Sequence, residues 1–478
     1  MKYKIKYRFG FKTKPWEHQV KALKYLHKRD TAALYTDMGT GKSKIMIDLI
    51  ANRDWRTVLI VCTKKGCQNW VKQFKFHYPN SEILLLNLTD FSSIDKVKEL
   101  RKGTKFRQEN TNEKLILIVN YESIWREPFC DELLKKYVAI DCIICDESHR
   151  IKTPGSKCSR FLNKIGKRVP CRYLVTGTPL AEDPVDIYAQ YRFLDPTIFG
   201  TNLSTFRNRY LNIDLGLSSQ LGYIVLRKEQ PYQNLDELRE KMFSCAFYGK
   251  SNIKLPKKHN IIYHYDVDKK TEKMYHELKN DGMVITEDGV ISVDNVLSMG
   301  LRQQQILSGT IPVMDDSEEV TPTIVNTDRR EVLKELLSGL PKDEPVVVFA
   351  KFRCDFDNIK AVCEELDRGY SEISGVRDDE KEWQAGKTSI VAVQYSSGSE
   401  SIDLTRAHYC IYYSLTYSLA LYLQSKKRIH RPGQNTTVTY YHLVAQLKKG
   451  KSIDELIMGA LKAKKKVVDY IVENSPSE

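Results

Sequence analysis

Three short clusters in this chain hold residue types that could together carry out phosphoryl chemistry. The first is Thr36-Asp37-Met38-Gly39-Thr40-Gly41-Lys42-Ser43. Glycines at 39 and 41 let the backbone curl so that successive N–H groups, Thr40 among them, point at phosphate oxygens. A helix opening at Lys42 adds a favourable dipole. Lys42 is expected to reach the β- and γ-phosphates of ATP and the Ser43 hydroxyl to ligate Mg2+. The literal pattern G-x-x-x-x-G-K-[ST] fails at its first position, where Thr36 stands. Taken alone, the loop could equally be a Gly-rich turn with a solvated lysine.

The second cluster, Ile143-Ile144-Cys145-Asp146-Glu147-Ser148-His149, is an apolar strand ending in two adjacent carboxylates. Open α/β sheets bind ligands at such strand ends. Asp146 is expected to hold Mg2+, directly or through water, and Glu147 to orient and deprotonate an attacking water. Exposed acids at strand ends are common, but here the pair follows the glycine loop by about a hundred residues, at the end of a strand. The third cluster runs from Gln424 to Gln434 and contains Arg428 and Arg431. Arginines three apart on a helix face the same way. A guanidinium can stabilise charge on a γ-phosphoryl group, and supplying it from a second lobe makes hydrolysis conditional on closure. A basic helix end that binds nothing is the alternative for this segment alone. Gln424 is counted with the nucleotide-binding residues, as is Gln19 of the pair His18-Gln19, whose amide could read an adenine edge.

Positioning these groups requires parallel sheets. Short apolar runs at Thr31–Tyr35, Thr57–Cys62, Leu115–Asn120, Val138–Cys145 and Arg172–Thr176 alternate with helix-compatible stretches. Continuous Val/Ile/Leu runs mark strands buried on both faces, and the alternation predicts a doubly wound α/β lobe. From about residue 180 to 309 the pattern turns helical, with Phe206–Leu211, Asn234–Phe247 and Thr271–Leu278 as helix candidates. Ile261–Val267 is expected to open the second lobe, and the acidic, proline-containing stretch Pro312–Asp328 reads as an exposed loop. The α/β rhythm resumes at Val346–Ala350, Ile390–Gln394, His408–Tyr413 and Val438–Val444. Apolar residues at Ile453, Leu456, Ile457, Ala460, Leu461, Val467, Val468 and Ile471 predict a terminal helix with one buried stripe. The expected fold class is α/β: two RecA-like parallel-sheet lobes with a helical insertion between them. The first covers residues 1–255, with a helical extension from about 180. The second covers 256–478, with an insertion at about 270–330 and a brace helix at 452–472.

Bulk properties agree with a polyanionic partner. The 478 residues include 75 Lys plus Arg against 61 Asp plus Glu, a formal net charge of +14, and phosphate contacts gain from counterion release. No apolar run approaches the roughly 20 residues that span a bilayer, and Met1–Pro15 lacks the apolar core of a secretion signal. Eleven scattered cysteines suit a reducing compartment. Cys142 and Cys145 form the single CxxC, but three residues apart on a strand they point to opposite faces, as buried thiols rather than zinc ligands.

The ordered set of motifs resembles the Swi/Snf-like branch of superfamily-two helicases over nearly the whole chain. Asp37–Ser43 resembles that branch's D-E-M-G-x-G-K-T loop, and Asp146-Glu147-Ser148-His149 its D-E-x-H box. Leu174-Val175-Thr176-Gly177-Thr178-Pro179-Leu180 resembles the third motif. The series continues through Phe193-Leu194-Asp195-Pro196, Phe199-Gly200 and Leu301-Arg302-Gln303 to Arg428-Ile429-His430-Arg431-Pro432-Gly433-Gln434. Val58–Cys62 with Trp70 resembles motif Ia and Asn120-Tyr121-Glu122 motif Ib, which track the phosphate backbone; Lys64, Lys65 and Arg150 are candidate phosphate contacts. The chain departs from the family at Gly398-Ser399-Glu400-Ser401-Ile402-Asp403-Leu404, where the family has G-G-x-G-L-N-L, and at Tyr417-Ser418-Leu419, where it has W-N-P. Gly375–Lys387 is also shorter than usual.

The resemblance implies an ATP- and Mg2+-dependent nucleic-acid motor, a monomeric engine stimulated by double-stranded DNA that translocates without separating strands. A strand-separating DNA or RNA helicase uses the same engine. A nucleic-acid-binding scaffold with impaired ATPase is the reading that Ser399 and Ser401 favour, and intact Lys42, Asp146, Glu147, Arg428 and Arg431 oppose it. The two second-lobe arginines also speak against a P-loop kinase. The expected setting is intracellular and cytoplasmic, in a bacterial or phage-infected cell, without a membrane and with no room for an accessory reader domain.

Overall fold

The computed structural model describes residues 10–473, apart from 38, 80–82, 111, 222–223, 225, 228, 250–253, 287–288, 293–295, 315–319 and 399–401. Met38 of the glycine loop and Ser399, Glu400 and Ser401 of the altered segment lie outside the described residues. Two compact units divide the chain: Met1–Asn252 with Lys466–Glu478, and Ile253–Lys465.

In the first unit the strands are β1 (Thr31–Thr36), β2 (Thr57–Cys62), β3 (Ile83–Asn87), β4 (Lys114–Asn120), β5 (Cys142–Asp146), β6 (Cys171–Thr176) and β7 (Ala246–Gly249). They form one sheet in the order β3-β4-β2-β5-β6-β1-β7, and every neighbouring pair is parallel. Parallel neighbours need crossover connections. Helices α1 (Glu17–His27), α2 (Lys42–Ala51) and α3 (Lys64–His77) lead into or out of β1 and β2. Successive strand residues feed opposite cores: Val58, Ile60, Cys142 and Ile144 join one cluster with α2 and α3, and Leu59, Val61, Ile143 and Cys145 join the other. Cys142 and Cys145 thus point to opposite faces, as their spacing predicts.

Three sequence expectations need correction in this unit. The strand expected over Val138–Cys145 begins only at Cys142, because Lys136–Val138 is a 3-10 turn and Ala139 has a left-handed φ of 45°. The helix expected over Asn234–Phe247 stops at Phe243, and Ala246–Gly249 becomes β7. There the chain gains a parallel pairing with Ala33–Thr36 of β1, a long-range gain invisible to local periodicity. β3, an edge strand half-buried along its length, lies outside the expected set although Ile83–Leu86 is an apolar run.

The second unit contains β8 (Lys258–Asp266), β9 (Met283–Thr286), β10 (Gly289–Ser292), β11 (Thr310–Met314), β12 (Val320–Ile324), β13 (Val346–Ala350), β14 (Tyr370–Ile373), β15 (Ile390–Gln394), β16 (Tyr409–Tyr412) and β17 (Val438–Gln446). Six of them form a second all-parallel sheet, β14-β15-β13-β16-β17-β8. β9 to β12 form a separate four-stranded antiparallel sheet. The insertion is therefore not purely helical, and Pro312–Asp328 is not simply an exposed loop. Ile311 and Val313 are fully buried, and Pro312 faces Pro322 across the β11–β12 ladder, a pairing in which neither proline need donate.

The helix Ile453–Glu473 closes the described chain. Its stripe differs from the expected one at Leu456, which is 49% exposed, whereas Ile453, Ile457 and Leu461, spaced four apart, are buried. Near its start Asp454 forms a fully buried ion pair with Arg329, whose guanidinium also donates to the Tyr265 hydroxyl at 2.7 Å.

Candidate active site

β1 delivers the chain to a tight loop. Gly39 and Gly41 both adopt left-handed φ, 80° and 79°, and Gly41 caps α2 so that Lys42 is its first residue. The loop is laced internally: the Thr40 hydroxyl donates to the Asp37 carbonyl at 2.7 Å and lies 3.0 Å from the Thr36 hydroxyl. From outside, Gln19 Nε2 and His18 Nε2 each hold the Thr40 carbonyl at 2.9 Å, while Gln19 Oε1 accepts from the Trp16 N–H at 2.9 Å. Gln19, expected to face a nucleotide base, is buried and engaged with the loop. An adenine contact would have to use its second N–H or remaining lone pair.

Lys42 Nζ lies 3.3 and 3.4 Å from the carbonyls of Thr36 and Asp37. These are long hydrogen bonds that a phosphate could readily replace. Ser43 is half-buried beside it on the first turn of α2.

A Cβ at Gly41 would sit 2.3 Å from Gln19 Nε2 at a φ of 79°. Gly41→Ala is therefore expected to weaken ATP binding at least tenfold, roughly the 1–3 kcal/mol such backbone strain costs, as read by titration with a fluorescent ATP analogue. Gly450→Ala carries the same kind of φ, 81°, in open space and should bind normally. Equal affinity in both variants would show that the loop tolerates a side chain.

β5 and β6 bring the acids and the third motif to the same sheet edge. Parallel strands share a direction, so the C-terminal ends of β1, β6 and β5, adjacent in that order, lie side by side. Alternation along β5 sends Asp146 to the α3 side with Cys142 and Ile144. There Trp70 Nε1 donates to Asp146 Oδ2 at 2.8 Å and the Glu147 N–H to Oδ1 at 3.0 Å. Tyr121, from the segment after β4, donates its hydroxyl to the Asp146 carbonyl at 2.7 Å. Burial pushes the Asp146 carboxyl up to about 6; the Glu147 charge adds to this and Lys42 opposes it.

Glu147 then breaks the strand with a left-handed φ of 52°, a conformation that costs a non-glycine residue about 1 kcal/mol or more. Its carboxylate meets the third motif. The Thr176 hydroxyl donates to Glu147 Oε2 at 3.3 Å, and His149 Nδ1 lies 3.2 Å from Thr176 Oγ1 and 3.4 Å from Glu147 Oε2. Burial lowers His149 to about 4, so the ring is neutral near pH 7. The Thr178 N–H also donates to Thr176 Oγ1, at 3.1 Å. Ser148 donates to Gln190 Oε1 at 2.7 Å, and Gln190 Nε2 returns to the Pro179 carbonyl at 2.8 Å. One network thus joins the acid pair to the segment after β6.

Trp70 and Tyr121 carry a correction. The motif resemblance assigns both to segments that track the phosphate backbone at the sheet's edge; Trp70 itself is fully buried and Tyr121 nearly so, and their polar atoms serve Asp146. Sequence alone offers no sign of this, since it depends on β2, with the α3 that follows it, lying next to β5 in the sheet. Lys64 and Arg150 are exposed and Lys65 half-buried, so the first turn of α3 presents charge to solvent.

In the second unit the helix Leu419–Ile429 carries buried Gln424 and Arg428. Arg431 lies beyond the helix end, so the expectation that both arginines share one helix face is corrected. Pro432 disfavours helical geometry at the residue before it, and Gly433 turns the chain with a φ of 104°. The turn packs on the segment leading to β16. The Arg428 carbonyl accepts from Leu404 N–H at 3.1 Å, Arg431 Nη1 lies 3.5 Å from the Ile402 carbonyl, and Gln434 Nε2 donates to the Ala407 carbonyl at 2.8 Å. The altered Ile402-Asp403-Leu404 segment therefore supports the arginine turn directly. Tyr417 is 40% exposed, and Ser418 caps the helix by accepting from the Leu421 N–H.

Comparison with known proteins adds two family matches. The SNF2-related domain matches residues 18–333 and the helicase conserved C-terminal domain matches 328–433. Among curated relatives, the CHD3-type chromatin-remodeling factor PICKLE of Arabidopsis thaliana is 23% identical over 95% of this chain and 34% of its own length. The ISWI chromatin-remodeling complex ATPase ISW2 of Saccharomyces cerevisiae is 25% identical over 90% of this chain and 39% of its own length. The DNA repair and recombination protein RDH54 of Saccharomyces cerevisiae is 23% identical over 86% and 48%. The chain thus spans between a third and a half of the length of these relatives. Among solved structures, the Sulfolobus solfataricus SWI2/SNF2 ATPase core in complex with dsDNA covers 98% of this chain and 99% of its own, at 16% identity and a TM-score of 0.42.

Proposed function

Because the chain belongs to the SNF2-related domain family, we propose that it is an ATP-hydrolysing nucleic-acid motor, stimulated by double-stranded DNA and translocating along it. The observation that carries the reading is the shared edge of β1, β6 and β5. It brings a helix-capping glycine loop with Lys42, the Thr176–Thr178 segment and a divided carboxylate pair together in one unit.

In this reading the backbone N–H groups of Gly39 to Ser43 bind phosphate oxygens and Lys42 offsets their charge. The Ser43 hydroxyl and Asp146 carboxylate are hard oxygen donors of the kind Mg2+ takes alongside nucleotide phosphates, so the residues fit the ion. Mg2+ bound with ATP offsets charge on the phosphates. Glu147 accepts a proton from the attacking water, and the Thr176 hydroxyl fixes the oxygen that stays behind. Arg428 and Arg431 from the second unit, with Gln424 behind them, stabilise the transferring phosphoryl group when the units close on nucleotide, so hydrolysis is tied to movement. The lobes are read as residues 1–255 and 256–478. The reading includes an intracellular setting, cytoplasmic in a bacterial or phage-infected cell; the eleven free thiols suit a reducing compartment, and among the described residues no helix is long and apolar enough to cross a membrane.

The test is the ATPase rate without nucleic acid and with single-stranded DNA, duplex DNA and RNA in parallel, followed by triplex displacement and fork unwinding. Duplex DNA should stimulate most, with triplex displaced and forks left paired. Fork unwinding, or stronger stimulation by single strands or RNA, would instead identify a strand-separating helicase. Duplex affinity should also fall at least tenfold between about 50 and 200 mM salt, as expected when several phosphates are contacted. A flat salt response would remove the case for backbone tracking.

A further inference from the structure

We infer that Trp70 is a positioning residue for the Asp146 carboxylate, fixing it for Mg2+ through its indole N–H. The inference rests on the reading of Asp146 as a metal-holding group. Each oxygen of Asp146 has one fixed donor, Trp70 Nε1 at 2.8 Å on Oδ2 and the Glu147 N–H at 3.0 Å on Oδ1. A carboxylate oxygen has two lone pairs, so both oxygens are held and each keeps acceptor capacity for a cation.

The chemistry of the donor matters. A lysine or arginine at this place would offset the carboxylate's charge and compete with the metal. An indole has one N–H and no acceptor, so it orients the oxygen and leaves the charge intact. Trp70 can do this rigidly because it is fully buried, with its ring 6.1 Å from that of Phe74, in the same core cluster as Cys142 and Ile144 of β5. Packing alone would be met by a phenylalanine, whereas a buried indole N–H needs its acceptor. Trp70 also lies on α3, whose first turn presents Lys64 and Lys65. A shift of that helix on nucleic acid would therefore pull on the carboxylate.

The test uses the full chain with residue 70 changed to phenylalanine or to benzothienylalanine, which keeps the indole shape and lacks the N–H, with Asp146→Asn as reference. Mn2+ serves as the probe. Its affinity in the presence of ADP is read from the free-ion paramagnetic resonance signal, beside the Mg2+ concentration giving half-maximal ATPase. Both residue-70 variants should lose about tenfold in Mn2+ affinity, the order expected for one hydrogen bond to a charged group. Their Mg2+ requirement should rise in parallel, with kcat largely recovered at saturating Mg2+. If Trp70→Phe fails to fold, the benzothienyl variant decides. Wild-type Mn2+ affinity in that variant, with affinity lost in Asp146→Asn, would overturn the role of Trp70 and leave the reading of Asp146 standing. Unchanged Mn2+ affinity and turnover in Asp146→Asn itself would overturn that reading, and this inference with it.

Discussion

Glu147→Gln should abolish ATP turnover while leaving nucleotide and duplex DNA binding close to wild type. The substitution keeps the shape of the side chain and one carbonyl-type oxygen, so the Thr176 hydroxyl at 3.3 Å retains an acceptor. What disappears is the basic oxygen that takes a proton from water, a contribution of about 10²–10⁴ in rate. The left-handed backbone at Glu147 is unaffected by an amide for acid exchange, so folding should be preserved. Lys42→Ala should give the same loss of turnover by a different route. It removes the cation that offsets phosphate charge, so nucleotide affinity falls as well, whereas DNA binding largely survives. Steady-state phosphate release and filter binding to a duplex check both variants, and titration with a fluorescent ATP analogue separates them. Wild-type turnover in either would sink the assignment of the site.

Arg431→Ala should lower kcat by about a hundredfold or more and spare ATP binding, since an arginine finger acts on charge that develops only in the transition state. Its place beyond the end of the helix Leu419–Ile429 strengthens the expectation. A half-buried guanidinium held to a backbone carbonyl across 3.5 Å is weakly anchored there and can reorient toward a phosphoryl group. Arg428, by contrast, is buried on the helix, so Arg428→Ala should cost stability as well as rate. The decisive comparison is KM against kcat for Arg431→Ala. A pure KM effect would mean that Arg431 binds the ground state and is no finger.

Much of the fold is legible in the amino-acid sequence, and particular strands show why. β2, β13 and β15 coincide with their expected residues because they are central strands, apolar on both faces, whose burial writes itself into an unbroken Val/Ile/Leu run. β7 and β11 escape a sequence reading for the opposite reason. Ala246–Gly249 becomes a strand only because the edge of β1 is open to it, and Thr310–Met314 because Val320–Ile324 returns beside it. β1 lies far from β7 in the chain, outside the reach of a local pattern, whereas β12 follows β11 directly as the return strand of a hairpin. Pro312 and the acidic residues that follow Met314 in the sequence give the second of these segments the look of a loop.

The glycine loop, Lys42 and the acid pair are readable from residue type and spacing alone. Phosphate binding needs consecutive backbone N–H groups and a helix start, and both are local properties of a short run of residues. The supporting groups are decided by tertiary structure. Strand order sets Trp70 against Asp146, one left-handed residue turns Glu147 toward Thr176 and His149, and Gln19, expected to read an adenine edge, closes on the glycine loop. Pro432 and Gly433 carry Arg431 off its helix. Local sequence specifies which groups can react, because reactivity belongs to the side chain. Which hydrogen bond each group makes depends on neighbours brought from tens of residues away, and only the packed sheet determines those.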